Sequence, residues 1–486
     1  MTRKPLKILF LAAEAVPFAK VGGLADVAGS LPQAVQALGH DVRLMIPRYG
    51  TIRSDQFDLE KIGEPIPIPL GPGVENVHLV GSHTGHVPVY LIWDEHYFSS
   101  RDQVYGFEDD AQRFTVFGRG ALAALQALDW KPDVIHANDW HTGIVPTWLN
   151  TEGQDDPFYS DIATLFTIHN LTYQGVTGRL ILTFAQMEYV QHLEVEQPGM
   201  VNWMAQGIAN ADMVNAVSKR YAQEILTPEM GMGLAPLLKE RKNRLSGVVN
   251  GIDYQQWNPA TDPAIPHRFD LETLDQRIAN KTALQQQARL PVRADVPLVG
   301  MVTRLDEVKG MDLMEPVLDW LLTQEQETQF VLLGTGDPRY HELFERIQAR
   351  YPNRMHAFLK FDPALARRIY AGADMFLMPS AVEPCGLGQM IAMHYGCVPV
   401  VRATGGLADT VADNSAKRGR GTGFTFADYT PAACQEALSR ALKVYAKKSA
   451  WRRMQQRGMA IDFSWSASAD KYVKLYRRAI KVHKRG

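Results

Sequence analysis

Three short segments hold the side chains best suited to chemistry on an anionic, activated ligand. Lys20-Val-Gly-Gly-Leu-Ala-Asp26 follows an apolar run of strand length and opens a helical pattern. Its paired glycines, Gly22 and Gly23, let a ligand approach the backbone. The helix start offers unpaired N–H groups and Lys20 adds a positive charge, a combination that suits an anion or a sugar. A tight turn with a surface lysine is the plainer reading of the same residues. In Thr303-Arg-Leu-Asp-Glu-Val-Lys-Gly310, Arg304 can grip a phosphate through two parallel hydrogen bonds while Lys309 supplies a compact second charge. Such a pair can neutralise a departing diphosphate. In Pro379-Ser-Ala-Val-Glu-Pro-Cys-Gly-Leu-Gly-Gln389 a carboxylate, Glu383, lies just before Gly386, where backbone N–H groups at a helix start would face an anion. Glu383 as a simple helix cap is the alternative, and the presence of Arg304 and Lys309 weighs against it.

Other chemistries lack their residues. His136-Ala-Asn-Asp-Trp-His141 and Thr167-Ile-His-Asn170 gather histidines near strand ends, but no cysteine joins them and their spacing matches no structural zinc site. A histidine in such a place is more often a packing or hydrogen-bonding residue, so no metal is expected. The chain has no Gly-x-Ser-x-Gly elbow, no phosphate loop ending in Gly-Lys-Ser/Thr and no Gly-x-Gly-x-x-Gly dinucleotide fingerprint. Three cysteines, Cys385, Cys397 and Cys434, form neither a disulfide framework nor a Cys-x-x-Cys pair, which fits a reducing compartment.

The elements that must position these residues alternate between strand-length apolar runs and helix-period segments. Ile8–Ala12, Val42–Ile46, Val134–His136, Thr164–Ile168 and Met213–Val217 read as buried strands, and Leu24 to Leu38 as a helix ending at Gly39 despite Pro32. After an Asp-, Pro- and Trp-rich stretch at about residues 250 to 265 the rhythm restarts, with strands at Pro297–Thr303, Phe330–Leu333, Met375–Met378 and Val398–Val401. This is the pattern of βαβ units in two doubly wound lobes, and in such sheets functional side chains sit at the carboxyl ends of strands. The 486-residue length exceeds the roughly 250 to 300 residues at which single cores split. A formal charge of -2 supplies no general cationic field for nucleic acid or an anionic membrane. The apolar start imitates a secretory leader, but Glu14 interrupts it, and no run approaches the ~18 to 20 residues of a membrane span. The basic tail from Lys471 carries Val473, Tyr476, Ala479 and Ile480 at helical spacing, as a docked amphipathic helix would.

Taken together and in this order, Lys20–Asp26, Tyr105-Gly-Phe-Glu-Asp-Asp110, His136–His141, Thr167–Asn170, Asn250-Gly-Ile-Asp253, Arg304–Lys309, Glu383-Pro-Cys-Gly386 and Thr404-Gly-Gly-Leu-Ala-Asp409 resemble bacterial glycogen synthase and plant starch synthase. These are retaining glucosyltransferases, of glycosyltransferase family 5, that extend α-1,4-glucan from a nucleotide-activated glucose. The resemblance spans nearly the whole chain. It implies a GT-B fold, an α/β architecture of two Rossmann-like parallel-sheet lobes facing across a deep cleft. Residues 1–255 would form the acceptor-side lobe, 256–462 the donor-side lobe and 463–486 a terminal helix returning to the first. It implies transfer from ADP-glucose to the non-reducing 4-hydroxyl of glycogen or another α-1,4-glucan, in the cytoplasm, without metal or other cofactor. Neither nucleic acid nor membrane is an expected partner.

Carried over motif by motif, the resemblance gives Arg304 and Lys309 the diphosphate, aided by Lys20, Gly22, Gly23 and the backbone of Cys385, Gly386, Leu387 and Gly388. Glu383 would bind the donor glucose and help offset charge in the transition state, and His169 would position that sugar. Asp139 and Asn170 are sugar or acceptor contacts, Asp26 and Asn250 supports, while Gly334, Thr335 and Phe361 border the nucleoside. Phe361 stands where many relatives have tyrosine, which keeps a ring for stacking, and Gly388 where many have threonine. The second glutamate common eight residues after the first in the wider class is Ile391 here. Retention normally needs two acid groups close together, so their lack favours front-side displacement, with water kept out by lobe closure. The competing readings are a GT-B enzyme with another donor or acceptor, a pyridoxal-dependent phosphorylase and a silent glucan-binding protein.

Overall fold

The computed structural model describes residues 4–82, 84–323, 327–415 and 420–485. Residues 1–3 and 486, at the outer ends of the expected first lobe and terminal helix, lie outside them. The chain forms two compact units, Met1–Gly251 with Trp465–Gly486, and Ile252–Ser464. The passage into the second unit therefore falls at Gly251, not residue 255, and the terminal segment starts at Trp465, not residue 463. The Asp- and Pro-rich stretch after it packs on the second unit, where the buried Asp262 accepts hydrogen bonds from Arg367 at 2.9 Å and Tyr395 at 2.6 Å.

The first unit is built on a nine-stranded sheet. Lys7–Leu11 lies inside it, paired in parallel with Asp41–Pro47 on one side and Val134–Asn138 on the other. Beyond Val134–Asn138 come Ala163–Ile168, Met213–Ala216 and Leu245–Gly247, all parallel. Beyond Asp41–Pro47 comes Val89–Trp93, parallel, then Gly73–Ser82 and Leu59–Leu70, both antiparallel. The sheet is thus mixed where an all-parallel one was expected. Ile66-Pro-Ile-Pro-Leu70 does not read as a strand because prolines cannot donate to a ladder, but Leu59–Leu70 is the sheet edge, where that loss is tolerated. Helix Gly23–Ala37 lays Leu24, Val27, Ala28, Leu31 and Val35 on the core with Pro32 buried inside it, and Gly39 takes a φ of +86° just after its end. Helix Trp465–His483 buries Trp465, Ala469, Tyr472, Leu475, Tyr476 and Ala479 in this unit, so the tail does dock as an amphipathic helix. Val473 and Ile480 lie at the margin of that face, partly buried.

The second unit has a six-stranded sheet, every pair parallel, in the order Met355–Phe358, Gln329–Leu333, Leu298–Val302, Met375–Met378, Val398–Arg402, Phe424–Phe426. Its central strands are buried up to their carboxyl ends, where Val302 is partly exposed, as a sheet covered by helices on both faces requires. Each sheet reverses its winding once. The reversal lies between Lys7–Leu11 and Val134–Asn138 in the first unit and between Leu298–Val302 and Met375–Met378 in the second. Beyond the carboxyl ends of strands at such a reversal, the two connections leave in opposite directions and open a crevice for a ligand.

Candidate active site

In the second unit the predicted residues follow consecutive strands at one sheet edge. Arg304 and Lys309 come after Leu298–Val302, and Glu383 to Gly388 after Met375–Met378, the two strands of the reversal. Gly334 and Thr335 come after Gln329–Leu333, and Phe361 after Met355–Phe358. The Lys309 ammonium bonds both carboxylate oxygens of Glu383, at 2.9 and 2.8 Å, and Ser380 Oγ donates to the same carboxylate at 3.0 Å. Glu383 is buried and Lys309 nearly so, which makes this a pair that water screens weakly. Arg304 is exposed and pairs with Asp306 at 3.3 Å. Asp306 also accepts the Lys309 N–H at 3.1 Å, so one acid fixes the turn that carries both cations.

Backbone contacts set the height of these loops. Gly310, with φ +81°, lies so close to Pro379 that a Cβ would overlap its carbonyl, and Ala381 N donates to Val308 O at 2.9 Å. The loop of Lys309 and the loop of Glu383 are therefore laced together. Gly334 and Gly336 lie just as closely on Thr303 and Leu305, with Leu305 N donating to Thr335 O at 3.0 Å. Gly386 has a φ of +69°, and the helix after it, Gly388–His394, is only seven residues long. At Gly388 a Cβ would meet Phe376 at 3.1 Å and the Tyr370 hydroxyl at 3.4 Å, so this position faces the unit's own core. Phe361 is 82% exposed, with its ring free to stack.

In the first unit Lys20, Gly22 and Gly23 come after Lys7–Leu11 and Asp139 after Val134–Asn138, the strands of the reversal, while His169 and Asn170 come after the neighbouring Ala163–Ile168 and Asn250 after Leu245–Gly247. Asp139, just after Val134–Asn138, has a φ of +54° and accepts the N–H of His169 at 2.7 Å and of Asn170 at 3.4 Å. Burial pushes its carboxyl up to about 7, against the pull of those two amides. His169 Nε2 lies 2.8 Å from Asn138 Oδ1, an acceptor, so that nitrogen carries the proton and Nδ1 is left to accept. Burial pushes the His169 ring down to about 3, which keeps it neutral. Asn170 Oδ1 accepts from Thr172 N at 3.0 Å, and Asn250 is buried. The other histidines are engaged elsewhere. His136 lies between Tyr476 OH at 2.9 Å and Thr167 Oγ1 at 2.7 Å, fastening the terminal helix, and His141 stacks on Tyr105 with ring centroids 4.7 Å apart.

The glycine turn differs from expectation. Lys20 pairs with Asp26 at 2.7 Å, but the Val21 and Gly22 N–H groups point at Glu14, whose carboxylate accepts them at 2.5 and 3.0 Å. Those two donors are committed within the protein, and Gly23, where a side chain would meet nothing within 4 Å, is the open face of the turn.

Residues 7–240 match the starch synthase catalytic domain family and residues 284–457 match glycosyl transferases group 1. The glycogen synthase of Moorella thermoacetica is 47% identical over 484 residues, covering 98% of each chain. The chain belongs to the glycogen synthase family. A second glycogen synthase, from Syntrophotalea carbinolica, is 46% identical over 98% of this chain and 100% of its own. Among solved structures, the catalytic domain of starch synthase IV from Arabidopsis thaliana, bound to ADP and acarbose, matches with a TM-score of 0.89 at 35% identity, over 98% of this chain and 100% of that one. Sucrose-phosphate synthase from Thermosynechococcus elongatus shares the fold, with a TM-score of 0.61 at 20% identity over 99% of this chain and 100% of its own. The two α/β lobes of the GT-B fold expected from the sequence, one with a mixed and one with a parallel sheet, are therefore those of a glycogen synthase family member. Among the described residues no helix is long and apolar enough to cross a membrane.

Sequence reasoning assigns no task to Glu14, Asn138, Tyr105 or Ser380, which hold the turn at Gly22, the His169 ring and the Glu383 carboxylate. Glu14 carries a visible signal, an acid ending a buried apolar strand, though in the sequence it reads only as an interruption of that run. Ser380 carries none, since nothing in the sequence distinguishes it from any serine before a helix.

Proposed function

We propose that this glycogen synthase family chain transfers glucose from ADP-glucose to the non-reducing end of an α-1,4-glucan, with retention at the anomeric carbon. The observation that carries the reading is the Lys309–Glu383 pair, clamped by Ser380, at the reversal of the second sheet. At most two of the three Lys309 N–H bonds go to Glu383, which leaves one for a phosphate oxygen, and the exposed Arg304 guanidinium supplies a planar fork beside it. These fixed positive groups stabilise charge where it develops, on the leaving diphosphate. Glu383 meets the glucose hydroxyls and faces the oxocarbenium-like carbon, while Phe361, Gly334 and Thr335 border the adenosine and the backbone of Cys385 to Gly388 borders the phosphates. To the first unit we assign Lys20 and Gly23 at the diphosphate, with Gly22 shaping the turn behind them, and the neutral His169, whose free Nδ1 accepts a glucose hydroxyl. Asp139 and Asn170 are sugar or acceptor contacts, supported by Asp26 and Asn250.

Position 391, where a second acid would stand, is a buried isoleucine in the helix Gly388–His394. We therefore assign front-side displacement. The C–O bond to the diphosphate breaks, the acceptor 4-hydroxyl oxygen forms the new bond on the same face, and its proton passes to the leaving phosphate oxygen. Two cations meet the charge of the diphosphate, so the reaction as assigned needs no metal ion and proceeds in the presence of a chelator. We place it in the cytoplasm, in keeping with three free, buried cysteines. The test supplies ADP-glucose or UDP-glucose with glycogen and follows nucleotide release and chain lengthening together. ADP release matched by lengthening is expected. Release without lengthening would move the assignment to a soluble acceptor, and preference for UDP-glucose would overturn the donor.

A further inference from the structure

The mechanism gives no task to the buried acid nearest the glycine turn, Glu14. Glu14 lies just beyond the strand Lys7–Leu11, at the reversal of the first sheet, and is 2% exposed. Its Oε2 accepts the N–H of Val21 at 2.5 Å and of Gly22 at 3.0 Å, and its Oε1 is 3.2 Å from the Gly22 nitrogen. The Tyr105 hydroxyl lies beside it and favours its ionised form. Lys20, the ammonium nearest in sequence, is turned to Asp26 instead. One carboxylate thus joins the end of the first strand, the glycine turn and the segment at Tyr105, whose ring stacks on His141.

Such an arrangement is costly. An ionised carboxylate out of water needs compensation, and here two amides and a phenol provide it. Burial pushes the Glu14 carboxyl up, and a neighbouring acid, Asp26, adds to the push. A neutral asparagine or serine closes an ordinary turn with less penalty. What the carboxylate adds is direction. With both amides drawn inward, the turn presents the Lys20 ammonium and the open side of Gly23 outward. At Gly22 a Cβ would stand 3.3 Å from Oε1, so the turn lies tightly on the acid.

We infer that Glu14 is a positioning residue for donor binding: its carboxylate draws the Val21 and Gly22 amides and the Tyr105 hydroxyl into one rigid knot, and that knot aims Lys20 and Gly23 at the donor diphosphate. The inference rests on the function proposed above. Glu14→Gln keeps the shape but replaces one acceptor oxygen by a donor. The KM for ADP-glucose should rise about tenfold, the equivalent of about 1.4 kcal/mol, with kcat changed less than about threefold. Amide hydrogen exchange in residues 20–24 should quicken in the same variant, with the thermal midpoint little changed. Equal loss in kcat and KM, or unchanged exchange in that segment, would overturn the inference. If the wild-type chain releases no ADP from ADP-glucose, the proposed function fails, and the exchange measurement still decides whether Glu14 holds the turn. Should Glu14→Gln not fold, Tyr105→Phe removes one contact of the knot. A KM rise of about threefold at constant kcat supports the inference, and an unchanged KM overturns it.

Discussion

The pentapeptide Gly-Gly-Leu-Ala-Asp occurs twice, at residues 22–26 and 405–409, once in each unit and each time at the start of a helix. The two copies do opposite things. In the first unit Gly22 rests on a side chain, Glu14, and a methyl at Gly23 would meet nothing within 4 Å. In the second unit Gly405 has a φ of +44° and its Cβ would overlap the Glu383 carbonyl, while a Cβ on Gly406 would overlap the Cys385 carbonyl. Gly406 N also donates to Glu383 O at 3.1 Å. In the first pair Gly23 is open to a ligand. The second pair is the bearing on which the loop of the Glu383 carboxylate rests. A glycine pair reports that something comes close to the backbone, and only the fold tells whether that is substrate or the protein itself.

The largest effect expected tests what the second copy supports. Glu383→Ala should lower kcat by about 10² to 10³-fold while donor affinity, measured by ADP-glucose titration, changes far less. Equal loss of binding and turnover would make Glu383 a docking group and remove the reason for holding its loop so tightly. Glu383→Gln, which can still accept from Lys309 and Ser380, serves as the control for folding.

A matched pair of substitutions then sets the copies directly against each other. Gly406→Ala forces a methyl into the Cys385 carbonyl, so the loop must shift. A displacement near 1 Å at a reacting group costs about 10²-fold in turnover, and the overpacking costs about 1 to 3 kcal/mol of stability. Gly23→Ala sits in open space at the first residue of helix Gly23–Ala37, where alanine should stabilise by about 0.5 to 1 kcal/mol. Its cost should appear only in the donor KM, raised about tenfold as the methyl enters the diphosphate's place. Thermal unfolding and steady-state kinetics on both variants check the contrast. If both lose stability alike, or neither affects donor binding, the distinction between an open and a bearing glycine pair is wrong.

The same contrast explains how much could be read from residues alone. Strands such as Ile8–Leu11 and Phe330–Leu333 are legible because burial on both faces demands unbroken apolar runs, and the helix Gly23–Ala37 because its apolar face repeats every three or four residues. Lys309 and Glu383 are legible as chemistry because charged residues at strand ends have few structural reasons to be there. The roles of Gly405 and Gly406 are not, because their pentapeptide is identical to one with a different task. Nor is Glu14, whose partners are backbone amides that no residue type announces. His136 illustrates distance as the obstacle, since its partner Tyr476 lies 340 positions away. Leu59–Leu70 illustrates context, since its prolines are acceptable only at an edge that sequence does not mark.

The last contrast, which leaves turnover aside, concerns how each unit holds an acid. In the second unit an ammonium balances Glu383; in the first, the His169 and Asn170 amides hold Asp139, and burial raises its carboxyl to about 7. A folded-state value above the unfolded one, about 3.8, means that folding takes up a proton between those limits. The stability Asp139 contributes is therefore complete below pH 3.8 and is lost as pH rises through 7. The variant Asp139→Asn keeps an oxygen for both amides and tolerates the positive φ, but its side chain does not titrate. Relative to that variant the wild-type chain should lose up to about 1.4 kcal/mol of stability for each pH unit on the rising side, and the two should converge in acid. Unfolding midpoints taken from pH 5 to pH 8 decide it. Parallel curves would mean that Asp139 stays ionised throughout, and that amides can hold an acid in the first unit as firmly as Lys309 holds one in the second.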